Sequence, residues 1–341
     1  MFLVKIKSFF TRLVEGSIKR MFINMKCIHE ETGKNRFIMF FDILWCAVRY
    51  SVGHLDYRVL GFALIKGKDR KTFLTMNHNL TVANKLNDKS LFYILNDKTE
   101  FDRRYSEYLG RGFIDLHKED AQALAKFCEG KKTIFAKSTE DFGGAGMSRE
   151  IIAPDTDFNA LYEKLCKNGQ YLVEDEIIQH ERMSEMCPAS VNTVRIATIN
   201  YKDEVHFLYA LLRVGNGVNC VDNICSGGMY VIIGDDGVIR KNAYCNDDFR
   251  YYEAHPVTGV KFAGFEIPYF NEAVEMCKKA ATVTPGIGYV GWDVAITQTG
   301  PVLVEGNTMP SYALCQNHLQ IDGGKGILPK YEAILGKEFF K

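Results

Sequence analysis

The sequence predicts an α+β protein, because short paired strands alternate irregularly with helices and form no regular strand–helix–strand series. With 341 residues, of which 47% are hydrophobic and 25% charged, the chain is long enough for about two domains of ~150 residues with ordinary globular cores. Alternating apolar residues around short polar turns predict three hairpins. They pair Thr193–Tyr201 with Val205–Val214, Met229–Gly234 with Val238–Arg240, and Tyr289–Thr297 with Val302–Glu305.

The N-terminal region is expected to be helical and basic. Apolar residues fall mostly at helical spacing over residues 1–25, and Phe37–Tyr50 reads as a second, more buried helix. Residues 1–50 hold nine basic and four acidic residues, although the whole chain has zero net charge. Two interpretations of residues 1–25 stay open. They contact an anionic membrane surface peripherally, or their apolar stripe packs on the body while the charges face water.

Several classes of protein are disfavoured by composition. The zero net charge gives no electrostatic case for a nucleic-acid partner. The longest apolar run, Phe37–Val48, is interrupted by Asp42 and is shorter than the ~20 residues that a spanning helix needs. No pattern of a cleaved signal peptide is present, and no Cys-x-x-Cys pair occurs among the ten cysteines. We therefore expect a cytoplasmic protein. The alternative is a cytoplasmic protein that also contacts the inner face of the membrane peripherally.

The middle of the chain is expected to supply helices and two further strands. Helices are predicted at residues 80–95, 102–109 and 270–283, and Asp120 is a candidate cap for a helix at residues 121–128. Strands are predicted at Thr133–Lys137 and Tyr171–Glu174.

Three polar side chains converge on the last predicted hairpin. Asp293 lies on its first strand, while Glu305 and Asn307 are two residues apart at the end of its second. Residues two apart share a face of a strand, and oxygen ligands of this kind suit Mg²⁺. The alternative is an ordinary strand-end acid followed by a turn asparagine.

A lysine followed by a glycine-rich loop is the second candidate site. The strand that ends at Lys137 runs into Gly143, Gly144 and Gly146, and such loops bring backbone N–H groups close to phosphate oxygens. The spacing is not that of a P-loop, because no Gly-Lys-Ser/Thr follows the glycines. Taken by itself, the segment is equally typical of a flexible hairpin.

The third candidate is the apolar strand that enters the acid-rich stretch Leu172–Glu181. An adenine ring needs apolar walls and a backbone edge, and a ribose is often held by a carboxylate. A strand of this kind is otherwise a solvated connection.

The order of these three features resembles the ATP-grasp superfamily. Further segments resemble its sugar-transfer-associated branch, whose members are relatives of the α-L-glutamate ligases. They are Arg49–Ser51, Asp56–Arg58, Gly67–Lys71, Asn223 with Ser226–Gly228, and His255–Gly259. The resemblance implies an ATP-grasp fold, in which two α+β subdomains clamp ATP. It divides the chain into an N-terminal helical extension (residues 1–90), a first subdomain (91–180) and a second subdomain (181–341).

The resemblance also implies roles for individual residues. Phosphate contacts are implied for Lys98, Lys137 and the glycine lid, and adenine and ribose contacts for Glu174, Ile177 and Glu181. Catalytic contacts to phosphate or acyl phosphate are implied for Arg195 and Arg213. Asp293, Glu305 and Asn307 match the positions that hold one or two magnesium ions.

The implied reaction joins a small-molecule carboxylate to an amine through an acyl phosphate, at the expense of ATP. The substrates are open, and sugar-linked molecules of cell-surface polysaccharide or glycoconjugate synthesis are candidates. Two alternatives stay open, namely a kinase that phosphorylates a hydroxyl and a nucleotide-binding scaffold without turnover. Candidates for the acceptor pocket include Asn223, Ser226 and His255, although a His-Pro turn is more often structural.

Overall fold

The structure is a computed structural model that describes residues 18–139, 146–217 and 227–340. Most of the predicted helix at residues 1–25 therefore lies outside the described residues, as do Gly143 and Gly144 of the glycine loop. Asn223 and Ser226 of the candidate acceptor pocket also lie outside them.

The α-helices of the described residues are numbered α1 to α11 in chain order. They are Ile18–Thr32, Arg36–Tyr50, His54–Val59, Met76–Leu86, Tyr93–Asn96, Lys98–Arg104, Ala121–Phe127, Phe158–Lys167, Glu181–Met186, Phe270–Ala280 and Leu328–Leu335. Asp120 caps α7 as expected, because its carboxylate accepts hydrogen bonds from the N–H groups of Gln122 and Ala123.

The strands, β1 to β11, form two antiparallel sheets. They are Phe113–Asp115, Thr133–Lys137, Met147–Ile151, Leu172–Asp175, Thr193–Tyr201, Glu204–Val214, Met229–Ile233, Ala243–Cys245, Arg250–Tyr252, Tyr289–Thr297 and Gly300–Asn307. The small sheet has the order β1-β4-β2-β3, and the large sheet has the order β11-β10-β5-β6-β7-β8-β9. This mixture of helices and antiparallel sheets confirms the predicted α+β class.

Two of the three predicted hairpins are present, β5–β6 and β10–β11. The third is present only in part, because Ile233 bridges Ile239 across the predicted turn while residues 238–240 form no strand. The partner of β7 is instead β8, after a turn at Gly237. The predicted helix at residues 80–95 was also wrong as one element, because Asn87 is extended and bridges to Ile287.

The large sheet is covered on both faces. One face carries Ile196, Trp292 and Val294, and it packs against α10. The other carries Ala197, Ile199 and Tyr289, and it packs against α4 and α11. Because apolar layers cover both faces of the sheet, a charged or polar side chain on it needs either a hydrogen-bonding partner or a cleft that admits water.

The N-terminal helices form a separate apolar cluster. Met25 of α1 and Met39 and Cys46 of α2 are buried together. Asp42 points into this cluster, where it accepts hydrogen bonds from Arg70 (2.8 Å from Nη1 to Oδ1) and from the Tyr57 hydroxyl (2.7 Å). The expectation that α2 is the more buried helix was wrong, because one of its faces is exposed and consists of large apolar side chains. No helix in the described part of the chain is long and apolar enough to span a bilayer.

Candidate functional site

Four strands of the large sheet bring acids and arginines together on one face. Arg195 of β5 lies opposite Asp293 of β10, which in turn lies opposite Glu305 of β11. Directly opposed residues share a face of an antiparallel sheet, and Arg213 of β6 reaches the same carboxylate. The sequence places these residues up to 110 positions apart, and only strand pairing makes them neighbours.

Asp293 is the electrostatic centre of this cluster. It is almost fully buried, and it accepts hydrogen bonds from Arg195 (2.8 Å from Nη2 to Oδ2) and from Arg213 (2.5 Å from Nη1 to Oδ2). Burial alone would raise the pKa of Asp293, but the two guanidinium charges outweigh it and hold that pKa well below its usual range. The carboxylate therefore stays ionised and fixes both arginines in place.

Glu305 and Asn307 provide further oxygen ligands at the open side of the cluster. An irregularity in the β10–β11 register between Asp293 and Val294 leaves Val304 without an opposite residue, so that Val304 lines the cavity while Glu305 stays opposite Asp293. Desolvation, followed by the Asp293 charge, raises the pKa of Glu305 to about 7. The amide of Asn307 lies 3.4 Å from Glu305 Oε1.

This set of oxygen donors fits a magnesium ion. A divalent cation offsets the repulsion between two neighbouring carboxylates, and Mg²⁺ uses one or two carboxylates together with substrate phosphates. Glu305 and Asn307 are the accessible ligands. The carboxylate oxygens of Asp293 already accept hydrogen bonds from the arginines. Asp293 would therefore coordinate the ion only through an oxygen that also accepts such a hydrogen bond. The described residues contain no group of three or more His, Cys, Asp or Glu side chains placed for a metal.

A cavity of about 420 Å³ lies between the two sheets, beside this cluster. Phe135, Lys137 and Met147 line it from the small sheet, and Thr193 and Val304 line it from the large sheet. Its size is that of a site for a small organic molecule. Ile177 also lines it, and no hydrogen bond among the described residues uses the Ile177 backbone. An apolar wall with a backbone edge left open in this way is what an adenine ring requires.

A buried ion network forms the floor of this cavity. Glu174 contacts Lys137 through Oε2, and Oε1 accepts a hydrogen bond from Nε of Arg111 at 2.8 Å. Arg111 also contacts Asp102 at 3.4 Å. Burial by itself would raise the pKa of Glu174, yet the charges of Arg111 and Lys137 hold it well below its usual range. Glu174 and Lys137 thus lie at the cavity as the resemblance implies, but each is already the other's partner.

Arg111 joins the two sheets, and sequence reasoning missed it. Beyond its contacts with Glu174 and Asp102, its Nη1 donates a hydrogen bond to the carbonyl of Leu303 in β11 at 2.6 Å. Gly110 makes this approach possible, because its φ is +58° and a Cβ there would lie 2.5 Å from Val302 Cγ1. The Gly-Arg-Gly sequence was the only available signal, and it has no periodicity to indicate burial.

Asp102 gives this network a testable pH dependence. Desolvation, followed by the Glu174 charge, raises the pKa of Asp102 to about 8, and in the protonated form it donates to Glu174. A carboxyl whose folded pKa exceeds its unfolded value loses stability as pH rises between those two values. We expect Asp102→Asn to have a higher Tm than wild type at about pH 8, and the difference to shrink toward about pH 4.5.

Thermal unfolding followed by circular dichroism across that pH range tests this expectation. Asp155→Asn, at an exposed position, is the matched control and should leave the pH profile unchanged. An Asp102→Asn variant that is destabilised by the same amount at every pH would contradict a neutral Asp102.

The remaining predicted site residues within the described part of the chain lie outside the lining of the cavity. Lys98 begins α6 and donates from Nζ to the carbonyl of Ser138 at 3.2 Å, directly before the glycine loop. Gly146 closes that loop, with its carbonyl accepting from the Ser138 N–H at 3.1 Å. Glu181 is exposed at the start of α9 and does not line the cavity, so its ribose contact stays a prediction.

His255 has a structural role. Its Nδ1 accepts from the N–H groups of Val257 and Thr258, and its Nε2 donates to the carbonyl of Gly215 at 2.9 Å. It is almost fully buried, which removes it from the acceptor candidates.

The two antiparallel sheets with a cavity between them form an ATP-grasp fold. More specifically, the chain belongs to the sugar-transfer associated ATP-grasp family, whose model matches residues 147–335, more than half of the sequence. The resemblance noted from the motifs is thereby confirmed. No curated protein matches the chain.

Solved structures share this fold distantly. The ATP-grasp ligase PsnB, complexed with a precursor variant, Mg and ADP, has a TM-score of 0.43 and 14% identity over 75% of this chain and 62% of its own. N5-carboxyaminoimidazole synthase from Aspergillus clavatus, in complex with ADP and 5-aminoimidazole ribonucleotide, has a TM-score of 0.38 and 12% identity over 65% of this chain and 46% of its own. D-alanyl-alanine synthetase A from Vibrio cholerae has a TM-score of 0.40 and 9% identity over 72% and 66%. The chain thus spans between about half and two thirds of these structures' length.

Proposed function

We propose that this protein is an ATP- and magnesium-dependent ligase that joins a carboxylate to an amine through an acyl phosphate. One observation carries the proposal. The cavity, with a backbone edge at Ile177 that no described residue occupies, opens beside the cluster of Arg195, Arg213, Asp293 and Glu305. Two residues that line the cavity connect it to the cluster, because Val304 directly precedes Glu305 on β11 and Thr193 lies two residues before Arg195 on β5.

The chain's own residues bind, orient and neutralise charge. Lys137 and Lys98 lie at either side of the start of the glycine loop, where phosphate oxygens would be held. Asp293 fixes the guanidinium planes of Arg195 and Arg213, which are then preorganised for the charge that develops during phosphoryl transfer. When bound at Glu305 and Asn307, Mg²⁺ would supply further positive charge to the phosphates. These groups suit positioning rather than covalent catalysis.

In the proposed reaction an oxygen of the substrate carboxylate attacks the γ-phosphorus, and ADP leaves. The amine nitrogen then attacks the acyl carbon and an amide bond forms, while inorganic phosphate leaves with the electron pair of the broken C–O bond and takes up the proton that the nitrogen releases. A scaffold without turnover is disfavoured, because nucleotide binding alone does not require the set of Asp293, Glu305 and Asn307.

The description of the family supports a sugar-linked substrate, and we propose a role in polysaccharide or glycoconjugate synthesis. A cytoplasmic location suits the use of ATP and the eight cysteines of the described residues, all of which are free thiols. Peripheral membrane contact by residues 1–25 remains a proposal, since residues 1–17 lie outside the described part of the chain.

Titration calorimetry of ATP, with and without Mg²⁺, tests the nucleotide site. We expect Mg²⁺-dependent binding to wild type, and a loss of about tenfold to a hundredfold in affinity for Lys137→Ala, because a charged hydrogen-bond donor is removed. The matched control is Lys131→Ala, whose ammonium pairs with Asp175 at 2.6 Å and does not line the cavity.

The product distinguishes a ligase from a kinase. Carboxylic acids, including sugar acids, are screened with amines for ADP release. An amide product that requires the amine supports ligation, whereas a stable phosphorylated hydroxyl formed without amine overturns it in favour of a kinase. If wild type binds no nucleotide, the proposed function is wrong.

A further inference from the structure

A contiguous apolar surface covers the outer side of α1 and α2. Phe37, Phe41, Trp45 and Val48 lie on one face of α2 at helical spacing, and all are exposed, from 47% for Val48 to 73% for Phe37. Aromatic contacts extend the surface to α1, because Phe40 packs edge-on against Phe41 and stacks on Phe22 at 6.4 Å. We call this the α1–α2 surface. Its members are Ile18, Phe22, Ile23, Phe37, Ile38, Phe41, Trp45 and Val48.

A helix that is apolar around its whole circumference is normally buried on every side. In α2 the inner face is buried through Met39, Ile43 and Cys46, but no described residue covers the outer face. Several exposed aromatic residues grouped together on a surface indicate a binding partner rather than random exposure.

Charge at the margins of this surface indicates what the partner is. Lys34 and Arg36 flank the start of α2, Arg49 lies in its last turn, and Lys19 lies on α1; no carboxylate of the described residues forms an ion pair with any of these four. The carboxylates of α1 and α2 are all paired, as Glu30 with Lys26, Glu31 with Arg58, and Asp42 with Arg70. The two helices, as far as the structure describes them, therefore present unpaired positive charge and no unpaired negative charge.

Further cations lie at the C-terminal end of α2. A cavity of about 240 Å³ opens there, and Arg49 and Lys71 are among the residues that line it. Arg70 also lines this cavity but is held by Asp42. The helix α2, 15 residues or about 22 Å long, thus has cations at both of its ends.

We infer that the α1–α2 surface docks onto an anionic lipid bilayer, with α2 lying in the interface and its cations on the lipid phosphates. Aromatic and aliphatic side chains on one face with lysines and arginines around them are the features of a helix that lies in a membrane interface. A second copy of this chain would place these unpaired cations against each other. The sequence of residues 1–17 holds three further basic residues, Lys5, Lys7 and Arg12, and one acidic residue, Glu15.

Tryptophan fluorescence of the full chain provides a direct test, because Trp45 is exposed and Trp292, the other tryptophan, is fully buried. Vesicles that contain phosphatidylglycerol should shift the emission to shorter wavelength and protect it from acrylamide. Vesicles of phosphatidylcholine alone should produce neither change. Trp45→Phe should still sediment with the anionic vesicles but lose the spectral change. If the wild-type protein does not sediment with anionic vesicles at low salt, the inference is wrong.

Substitutions then locate the contact. Phe41→Asp should weaken sedimentation at least tenfold, and Arg49→Ala or Lys71→Ala about fivefold each. The matched control is Ile151→Asp, which places the same charge at an exposed apolar position on β3 and should bind as wild type does. Circular dichroism melting curves show that each variant is folded.

Other possible occupants of the α1–α2 surface would give different experimental results. A wild-type dimer in sedimentation velocity that Phe41→Asp dissociates would identify a second copy and overturn the inference. Deletion of residues 2–17 should leave vesicle binding in place. If that deletion abolishes binding while Phe41→Asp does not, the contact lies in the N-terminal segment instead. These measurements do not depend on nucleotide binding, so they stand or fall separately from the proposed ligase activity.

Discussion

Replacement of Asp293 with asparagine is expected to lower the free energy of unfolding by about 3–5 kcal/mol, because it removes one partner of a buried ion cluster. Asp293 is 2% exposed and accepts hydrogen bonds from two arginines. The variant would leave Arg195 and Arg213 side by side, with the more distant Glu305, 3.9 Å from Arg195, as the remaining carboxylate of the cluster. Denaturant unfolding monitored by circular dichroism measures the change.

A matched control is available on the surface. Asp236 and Arg240 form an ion pair in which both side chains are exposed. Asp236→Asn is therefore expected to leave the free energy of unfolding unchanged. An Asp293→Asn variant that unfolds like wild type would show that the arginines do not depend on this carboxylate. Asp293 would then be a metal ligand first and a structural residue second.

Glu305→Gln is expected to have the opposite profile, with stability preserved and turnover reduced by roughly a hundredfold to a thousandfold. Glu305 is only half-buried, and its raised pKa of about 7 indicates that its charge is not well stabilised by the protein alone. Neutralising it therefore removes little from the fold. It removes the accessible carboxylate that would hold Mg²⁺ on the phosphates.

The measurement is ADP release as a function of Mg²⁺ concentration, together with a denaturation curve for each variant. Glu204→Gln changes an exposed acid at the β5–β6 turn of the same sheet, and it should match wild type in both assays. Glu305→Gln with wild-type turnover and wild-type Mg²⁺ dependence would remove Glu305 from the site.

Local sequence pattern was sufficient for the parts of the site that lie on regular strands. The apolar run Tyr289–Thr297 before a short turn placed Asp293 on a strand opposite Glu305, and the spacing of two placed Glu305 and Asn307 on one face. The same reasoning identified Lys137 at a strand end before a glycine-rich loop. Such predictions succeed because alternation and turn composition act over a few neighbouring residues.

Contacts between distant parts of the chain were not predictable in this way. Nothing near Arg111 in the sequence indicates that it is buried between Glu174, Asp102 and the Leu303 carbonyl. The apolar sequence of α2 suggested a helix more buried than the one before it, but the body of the protein covers only the face that includes Met39 and Cys46. Likewise, only Ile233 of β7 bridges the predicted partner segment, at Ile239, whereas Met229 and Tyr230 pair with β8, because the pairing of a strand depends on its context in the whole sheet.

The sequence by itself determined the α+β class, two of the hairpins and the family resemblance, and it named the candidate site residues other than Arg111 and Asp102. The tertiary structure decided which of these groups are mutual partners. Arg195 and Arg213 converge on Asp293, Lys137 pairs with Glu174, and the outer face of α2 is left uncovered by the described residues. The physical reason is that propensity and periodicity are local, whereas burial and ion pairing depend on which surfaces the completed fold brings together.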